Sequence, residues 1–170
     1  MGTCIIDNGY TLGCASIGGV EEVYLATFNG AATFTLDTDD IVVGCTSYSV
    51  YKFEQDSEYA GLAQNGVYNR ENGTVHYESI LSLKFIDLDA SLRNSILALG
   101  KAPLFAVIKS VAGVYYIAGV EVAGRATAGT ASLGTAYSDM NGATLEVTWK
   151  SQNGVYLMDA AVLGTDITII

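Results

Sequence analysis

The stretch that decides the fold is residues 74–110, TVHYESILSLKFIDLDASLRNSILALGKAPLFAVIKS. In its first third, apolar and polar side chains alternate, which predicts a strand with one buried face. The apolar positions are Val75, Tyr77, Leu81, Leu83 and Phe85. The polar positions between them are His76, Glu78, Ser82 and Lys84. We expect the first set to enter the core and the second set to lie on the opposite face.

The middle of this stretch predicts a short helix, because its apolar residues fall three or four positions apart. They are Leu88, Leu92, Ile96 and Leu99. Either Asp87 or Asp89 can accept hydrogen bonds from the first amides of the helix. Gly100 is expected to end the helix, and Pro103 prevents its continuation. The apolar run at residues 104–108 then predicts a strand that is covered on both faces.

Shorter stretches rich in β-branched and aromatic residues predict the other strands. They are residues 20–28, 48–54, 114–120, 144–149, 155–158 and 166–170. A run of small residues at 124–138 is expected to be a flexible connection. The predicted fold is therefore a mainly β single domain over residues 1–170. It has two packed antiparallel sheets, as a sandwich or a half-open barrel, and one flanking α-helix.

Two segments are expected to contact other subunits or partners. Residues 1–19, rich in Gly, Ser and Thr, predict an extended N-terminal arm. Residues 55–72 show no clear period and predict a long loop between strands, a feature that is usually functional or disordered. Tyr59, Leu62 and Tyr68 give this loop an apolar character that suits a subunit interface. The alternative for the same residues is a mobile extension of a hairpin.

The charge balance excludes some classes of partner. The chain has 18 acidic and 8 basic residues and a net charge of −10, which argues against tight binding of nucleic acid or anionic lipid. No basic residue precedes Lys52, so the N-terminus does not resemble a secretory signal. The longest uncharged apolar run, residues 111–120, is too short to span a membrane. We expect a soluble protein that works without a membrane partner.

The chemistry of an enzyme is not visible in the sequence. His76 is the only histidine, so a catalytic triad or a histidine-based metal site would depend on one residue. Residues 37–40 contain three aspartates but lack the glycine and glutamate of a calcium-binding loop. We expect no catalytic residue, no cofactor and no metal. Residues 72–74, Asn-Gly-Thr, match a glycosylation acceptor but are interpreted as a turn.

The three cysteines lie at no metal-binding spacing, and we expect them to be reduced and to pack as small apolar side chains. They are Cys4, Cys14 and Cys45. A disulfide between Cys4 and Cys14 is the alternative.

The order of the elements resembles that of a known family. The stretches 18–25, GGVEEVYL, and 129–142, GTASLGTAYSDMNG, together with a long loop, a single helix and a hairpin, resemble tail tube proteins of tailed bacteriophages, especially those of Bacteroidetes phages and prophages. The resemblance implies a subunit of two packed sheets and one helix. It also implies hexameric rings that stack into the conduit for genome ejection.

What the resemblance implies for function is a structural virion protein of the tail, assembled in the host bacterial cytoplasm. Its partners would be further copies of itself, other tail proteins, and DNA that passes through the lumen without specific binding. We expect the polar strand face, with His76, Glu78, Ser82 and Lys84, to line an acidic lumen, and Glu54 to neutralise Lys84. The alternatives are a tail terminator or completion protein, a capsid decoration protein, and a lectin-like module that binds glycans.

Overall fold

The computed structural model of the chain describes residue 6, residues 9–56 and residues 58–170. Within these residues the chain forms twelve strands, one α-helix and a short 3-10 helix, Ala160–Val162. In chain order the strands and the α-helix are β1 (Val20–Thr27), β2 (Phe34–Leu36), β3 (Val42–Cys45), β4 (Tyr48–Glu54), β5 (Gly61–Asn69), β6 (Thr74–Ile86), α1 (Ala90–Lys101), β7 (Leu104–Ser110), β8 (Tyr115–Ala118), β9 (Arg125–Ser132), β10 (Gly142–Ser151), β11 (Tyr156–Met158) and β12 (Ile167–Ile169).

The strands make two sheets that pack on each other, which confirms the predicted fold class. The large sheet has eight strands in the order β12-β4-β1-β7-β8-β11-β3-β2, and the small sheet has four in the order β5-β6-β10-β9. The small sheet is antiparallel throughout. The large sheet is mixed, since β11 pairs with β3 and β12 with β4 in parallel. The expectation of two wholly antiparallel sheets is wrong for these short strands.

Two apolar cores result, because the large sheet is buried on both faces. The first core lies between the sheets, and its central residues are Val23, Leu25, Leu81, Leu83, Ala106, Ile108, Leu145, Val147 and Trp149. The second core lies on the other face of the large sheet, which curls around it, and includes Tyr24, Val42, Tyr48, Val50, Phe105, Val107, Ile117 and Ile167. In the second core the ring of Phe105 stacks on that of Tyr48, with centroids 4.2 Å apart. The curled large sheet corresponds to the half-open barrel that the sequence predicted.

The two strands on either side of the helix agree with the sequence pattern. In β6, Leu81, Leu83 and Phe85 are buried in the core between the sheets. In β7, residues 104–108 are all buried, because alternate side chains enter the two cores. Val75 and Tyr77 are the exceptions in the predicted apolar set, since Val75 is 48% exposed and Tyr77 is only half-buried near the start of β6.

The helix agrees with its predicted pattern but not with its predicted end. Asp89 is the N-cap, and its Oδ1 accepts from the Leu92 amide at 2.6 Å. The apolar stripe is half-buried against the core between the sheets. The prediction that Gly100 ends the helix is wrong, because α1 continues to Lys101 and the Ala102 amide still bonds to Ala98 O.

Two segments that were predicted to lack regular structure are strands. The predicted loop 55–72 contains β5, which pairs with β6 along its whole length. The predicted flexible connection 124–138 contains β9, which pairs with β10. Both are edge strands that are mostly exposed, so they lack the strong apolar alternation that a half-buried strand shows.

The N-terminal arm lies partly outside the described residues. Residues 9–19 are exposed and form no strand, and the Gly19 carbonyl accepts from the Val111 amide. Cys14 is exposed and Cys45 is half-buried, and both are free thiols. Cys4, the partner in the alternative disulfide, lies outside the described residues.

Ser79 generates a prediction about stability. It is 1% exposed on the inner face of β6, and its hydroxyl is the only buried side-chain polar atom of the described residues without a hydrogen-bond partner. A buried unsatisfied hydroxyl costs roughly 1–3 kcal/mol. We therefore expect Ser79→Ala to raise the free energy of unfolding by about 1 kcal/mol in denaturant melts. Ser82→Ala, on the other face, is the control and should change it by less than about 0.5 kcal/mol. A clear loss of stability in Ser79→Ala would contradict the assignment.

Candidate assembly surface

The small sheet has one face in the core and one face open to solvent, which we call the outer face. Cross-strand pairing places alternate residues of all four strands on it. The outer face contains Ala63, Asn65 and Val67 of β5, His76, Glu78, Ile80, Ser82 and Lys84 of β6, Thr144, Glu146, Thr148 and Lys150 of β10, and Ala128 and Thr130 of β9. None of these side chains is buried. The four polar β6 residues from the sequence pattern thus share this face, as predicted.

Glu78 is the centre of the charged part of the outer face. Its Oε1 lies 2.8 Å from Lys150 Nζ, on the neighbouring strand β10, and 3.7 Å from His76 Nε2. Lys150 is also its cross-strand partner in the register. The hydrogen bond from Lys150 holds the pKa of the Glu78 carboxyl below its ordinary value, and the smaller contribution of His76 acts in the same direction. Glu78 is therefore a carboxylate already occupied by two neighbours.

Lys84 does not have the partner that the sequence suggested. Glu54 lies on the large sheet and pairs with Lys52, with 3.0 Å between Oε1 and Nζ. The Lys84 ammonium instead lies over the ring of Tyr59, 4.0 Å from its centroid, in a cation–π contact. The backbone amide of Lys84 donates to Gln55 Oε1 at 3.0 Å. The expectation that Glu54 neutralises Lys84 is wrong, because the connection after β4 places Tyr59 there instead.

Apart from Glu146, the rest of the outer face is uncharged, and threonine hydroxyls on it are hydrogen-bonded between β9 and β10. The Thr130 and Thr144 hydroxyls are 2.6 Å apart, and those of Thr127 and Thr148 are 2.9 Å apart. Of the 18 acidic residues of the chain, only Glu78 and one other lie in the four strands, against three of the 8 basic residues. The expectation of an acidic face is therefore wrong for this sheet. The excess of carboxylates lies elsewhere in the chain.

The far end of the β5–β6 hairpin extends beyond the rest of the sheet. Strand β10 pairs with β6 only as far as Tyr77, so residues 67–76 form a two-stranded extension that we call the hairpin overhang. Tyr68 in it is 66% exposed, and its ring contacts Tyr77 edge to face with centroids 6.2 Å apart. Val67 and Val75 are also exposed. A hairpin without a second layer is marginally stable alone, and this one carries exposed apolar side chains that a contact could bury.

The three residues predicted for a subunit interface do not lie together. Tyr59 and Tyr68 are both exposed but lie near opposite ends of the hairpin. Leu62 is half-buried against the core between the sheets, opposite Leu81. Leu62 thus packs against the core, because it lies on the inner face of a strand and not in a loop.

The two edges of the small sheet are the main feature that the sequence interpretation missed. Edge strands are usually short or protected by charged residues and proline. The edges of the large sheet, β2 and β12, are three residues each. Strand β5 has nine residues with no charge and no proline, and β9 has eight with Arg125 as its only charge. The Asn-Gly turn before β6 was the one signal for β5, since a turn there indicates a hairpin.

Metal-binding groups and membrane-spanning helices are not found in the described part of the chain. There, no group of three or more His, Cys, Asp or Glu side chains is arranged to hold a metal ion. No helix among the same residues is long and apolar enough to cross a membrane. No protein-family model matches the chain, and no curated protein matches it. The edges, the outer face and the hairpin overhang are the features from which we infer a function.

The Glu78–Lys150 contact gives a prediction about protonation. Removing the ammonium in Lys150→Met should raise the pKa of Glu78 towards its ordinary value, because the largest stabilising contact of the carboxylate is lost. The measurement is an NMR titration of the side-chain carboxyl carbon. Lys84→Met is the matched control and should leave the titration unchanged, since Lys84 contacts Tyr59. An unchanged pKa in Lys150→Met would show that the two side chains do not pair in solution.

Proposed function

We propose that this chain is a structural virion protein, a tail tube subunit whose copies join into rings that stack into a conduit for the genome. The observation that carries the proposal is the pair of long, nearly uncharged edges on a sheet whose outer face is open and polar. Such edges are a liability in a protein that works as a monomer. They are useful in one whose copies pair strand to strand.

The two edges favour a ring over a closed pair. Strands β5 and β9 lie at opposite sides of the same sheet. Pairing β5 of one copy with β9 of the next is a head-to-tail contact, which repeats from copy to copy and makes a ring where the rotation closes. The four-stranded sheets then join into one continuous wall.

The layer order of the subunit supports a proposal for the face that would line the lumen of such a ring. The inner face of the small sheet is covered by the large sheet and by the half-buried stripe of α1. In a ring with the small sheets innermost, the outer face, with His76, Glu78, Ser82 and Lys84, is turned to the lumen.

The charges of the outer face suit passage of DNA without specific binding. Binding to phosphates is driven by free cations that release counterions. Lys150 is paired with Glu78, and Lys84 is held over an aromatic ring. The Arg125 guanidinium is turned to the end of α1, 3.5 Å from the Lys101 carbonyl. The outer face thus has nearly equal numbers of positive and negative side chains, and its cations already have partners within the subunit. It is not the acidic wall that the composition led us to expect.

The hairpin overhang and the N-terminal arm would supply the contacts between stacked rings. Both carry exposed apolar side chains, among them Tyr68 in the overhang and Tyr10 and Leu12 in the arm. Other tail proteins would bind at the ends of the tube, in a virion assembled in the bacterial host. A terminator or decoration protein would form a single ring or bind a capsid, and a lectin-like module would stay small and bind glycan.

Electron microscopy of the concentrated protein tests the assembly, with a shortened hairpin as the decisive variant. Replacing residues 68–75 by Asn-Gly keeps the pairing of Val67 with His76 and removes the overhang. We expect tubes from the parent protein. From the variant we expect folded subunits with unchanged circular dichroism that form no tubes.

The control for that experiment is Tyr137→Ser, which removes a fully exposed aromatic side chain outside the hairpin and should not affect tubes. Normal tubes from the shortened variant would refute the role of the overhang. Single particles from the parent at every concentration would refute the proposed function itself.

The orientation of the outer face can be tested with an added charge. Ala63→Lys places a lysine on the outer face, and Ser49→Lys places one at an exposed position of β4 in the large sheet. Preassembled Ala63→Lys tubes should retain more DNA than the parent at low salt, and the difference should vanish near about 1 M salt because charges are then screened. Ser49→Lys tubes should retain no more than the parent. Equal retention by both variants would place the outer face away from the lumen.

A further inference from the structure

The chain is rich in the dipeptide Asn-Gly, which is the sequence most prone to loss of the asparagine side-chain amide. Glycine has no side chain to shield its backbone nitrogen, and its backbone is the most mobile of all residues. The six pairs begin at Asn8, Asn29, Asn65, Asn72, Asn141 and Asn153. Asn8 lies outside the described residues, so the structure compares the other five.

In the pair at residues 153–154, both the Asn153 carboxamide and the Gly154 backbone nitrogen are held by hydrogen bonds. Asn153 Nδ2 donates to Glu121 Oε1 at 2.5 Å and to the Tyr156 hydroxyl at 3.0 Å. The backbone nitrogen of Gly154, which would have to attack, donates to Ser151 Oγ at 2.9 Å.

The pairs in or beside strands are held by the backbone. Residues 65–66 lie within β5, and residue 142 begins β10 and pairs with β6. Strand pairing keeps the chain extended and holds the glycine nitrogen away from the preceding carboxamide. At the pair that begins at Asn29, Oδ1 accepts from the Ala31 amide at 3.0 Å, which fixes the carboxamide.

Asn72 differs from all of these. It lies in the exposed turn at the tip of the hairpin overhang, and within the described part of the chain its carboxamide has no hydrogen-bond partner. Gly73 has φ +64, and apart from Gly73 itself and the residues on either side of it, no heavy atom lies within 4 Å of the place where a side chain would be. The Asn72 carboxamide is therefore unrestrained by a hydrogen bond, and the space beside Gly73 is open.

We propose that Asn72 is a site of spontaneous deamidation, with water as the only co-reactant. The backbone nitrogen of Gly73 loses its proton to solvent base and attacks Asn72 Cγ, and a new C–N bond closes a five-membered succinimide. The bond from Cγ to Nδ2 breaks, and the nitrogen leaves as ammonia. Water then opens either carbonyl of the ring, which leaves aspartate or isoaspartate. No electron is transferred, and the net change is replacement of the amide –NH₂ by a hydroxyl that ionises.

The product changes the chemistry of the hairpin tip. It adds a carboxylate next to Glu71, and the isoaspartate form adds a methylene to the backbone of the turn. If the overhang contacts a neighbouring ring, deamidation would weaken that contact with the age of the subunit. This consequence rests on the proposed function, whereas the reaction itself does not.

Trypsin separates the candidate sites, so peptide mass spectrometry of the aged full-length protein tests the proposal. Cleavage after Arg70 and Lys84 gives peptide 71–84, in which Asn72 is the only asparagine. Peptides 53–70, 126–150 and 151–170 contain the pairs at 65, 141 and 153. After days at mildly alkaline pH, the mass of peptide 71–84 should increase by the difference between a hydroxyl group and an amino group. The masses of the other three peptides should not change. At mildly acidic pH the change should be much slower, since the attacking nitrogen must lose a proton.

Protein unfolded in guanidinium chloride at the same pH is the control for intrinsic reactivity. There the four peptides should react at similar rates, and peptide 71–84 should react about as fast as in the folded protein. Asn72→Gln should reduce the amount of the acidic species that ion-exchange chromatography detects in the aged folded protein. The proposal is overturned if folding protects peptide 71–84 as strongly as the other three. This measurement does not require tubes. Its outcome therefore tests deamidation independently of the proposed function.

Discussion

The two sheets are joined by one buried hydrogen bond on which their relative position depends. Trp149 on β10 of the small sheet donates from Nε1 to the carbonyl of Leu104, the first residue of β7 in the large sheet, at 3.0 Å. The same carbonyl accepts from the Gly124 amide, and Gly124 O accepts from the Leu104 amide, both at 2.9 Å. A side chain at residue 124 would overlap the indole ring, so only glycine allows the indole to reach this carbonyl. A buried indole without this partner would leave its N–H unsatisfied, which is costly.

The position of this indole determines which residues form the outer face. Side chains of a strand alternate between faces, so Trp149 in the core places Thr148 and Lys150 outside. Strand β10 is central in the small sheet, and its register with β6 then places Glu78 beside Lys150. A shift by one residue would move this ion pair into the core and the apolar residues into solvent. The polar surface and the packing between the sheets are therefore two results of the same register.

Sequence periodicity predicted the parts of the fold that bury one face. Strand β6, the helix α1, strand β7 and the central part of β10 were recognised because burial requires apolar residues at a fixed spacing. The short parallel pairings of β11 and β12 join residues far apart in the sequence and leave no local pattern. For the candidate site, the shared face of His76 and Glu78 followed from alternation. The contact of Lys84 with Tyr59 did not, because it depends on the path of a connection without a period.

The edge strands were missed for a physical reason that also bears on their role. A strand at the edge of a sheet with an open face has few neighbours to pack against, so β5 and β9 can be built from small and polar residues. Such residues give weak patterns in the sequence and also leave room for another strand to approach. The carboxylates of the chain lie almost wholly outside the small sheet, where like charges make separate copies repel each other over a Debye length. In the proposed assembly, that repulsion opposes random contacts between copies. Pairing is then favoured only where the two edges, which carry no carboxylate, meet in register.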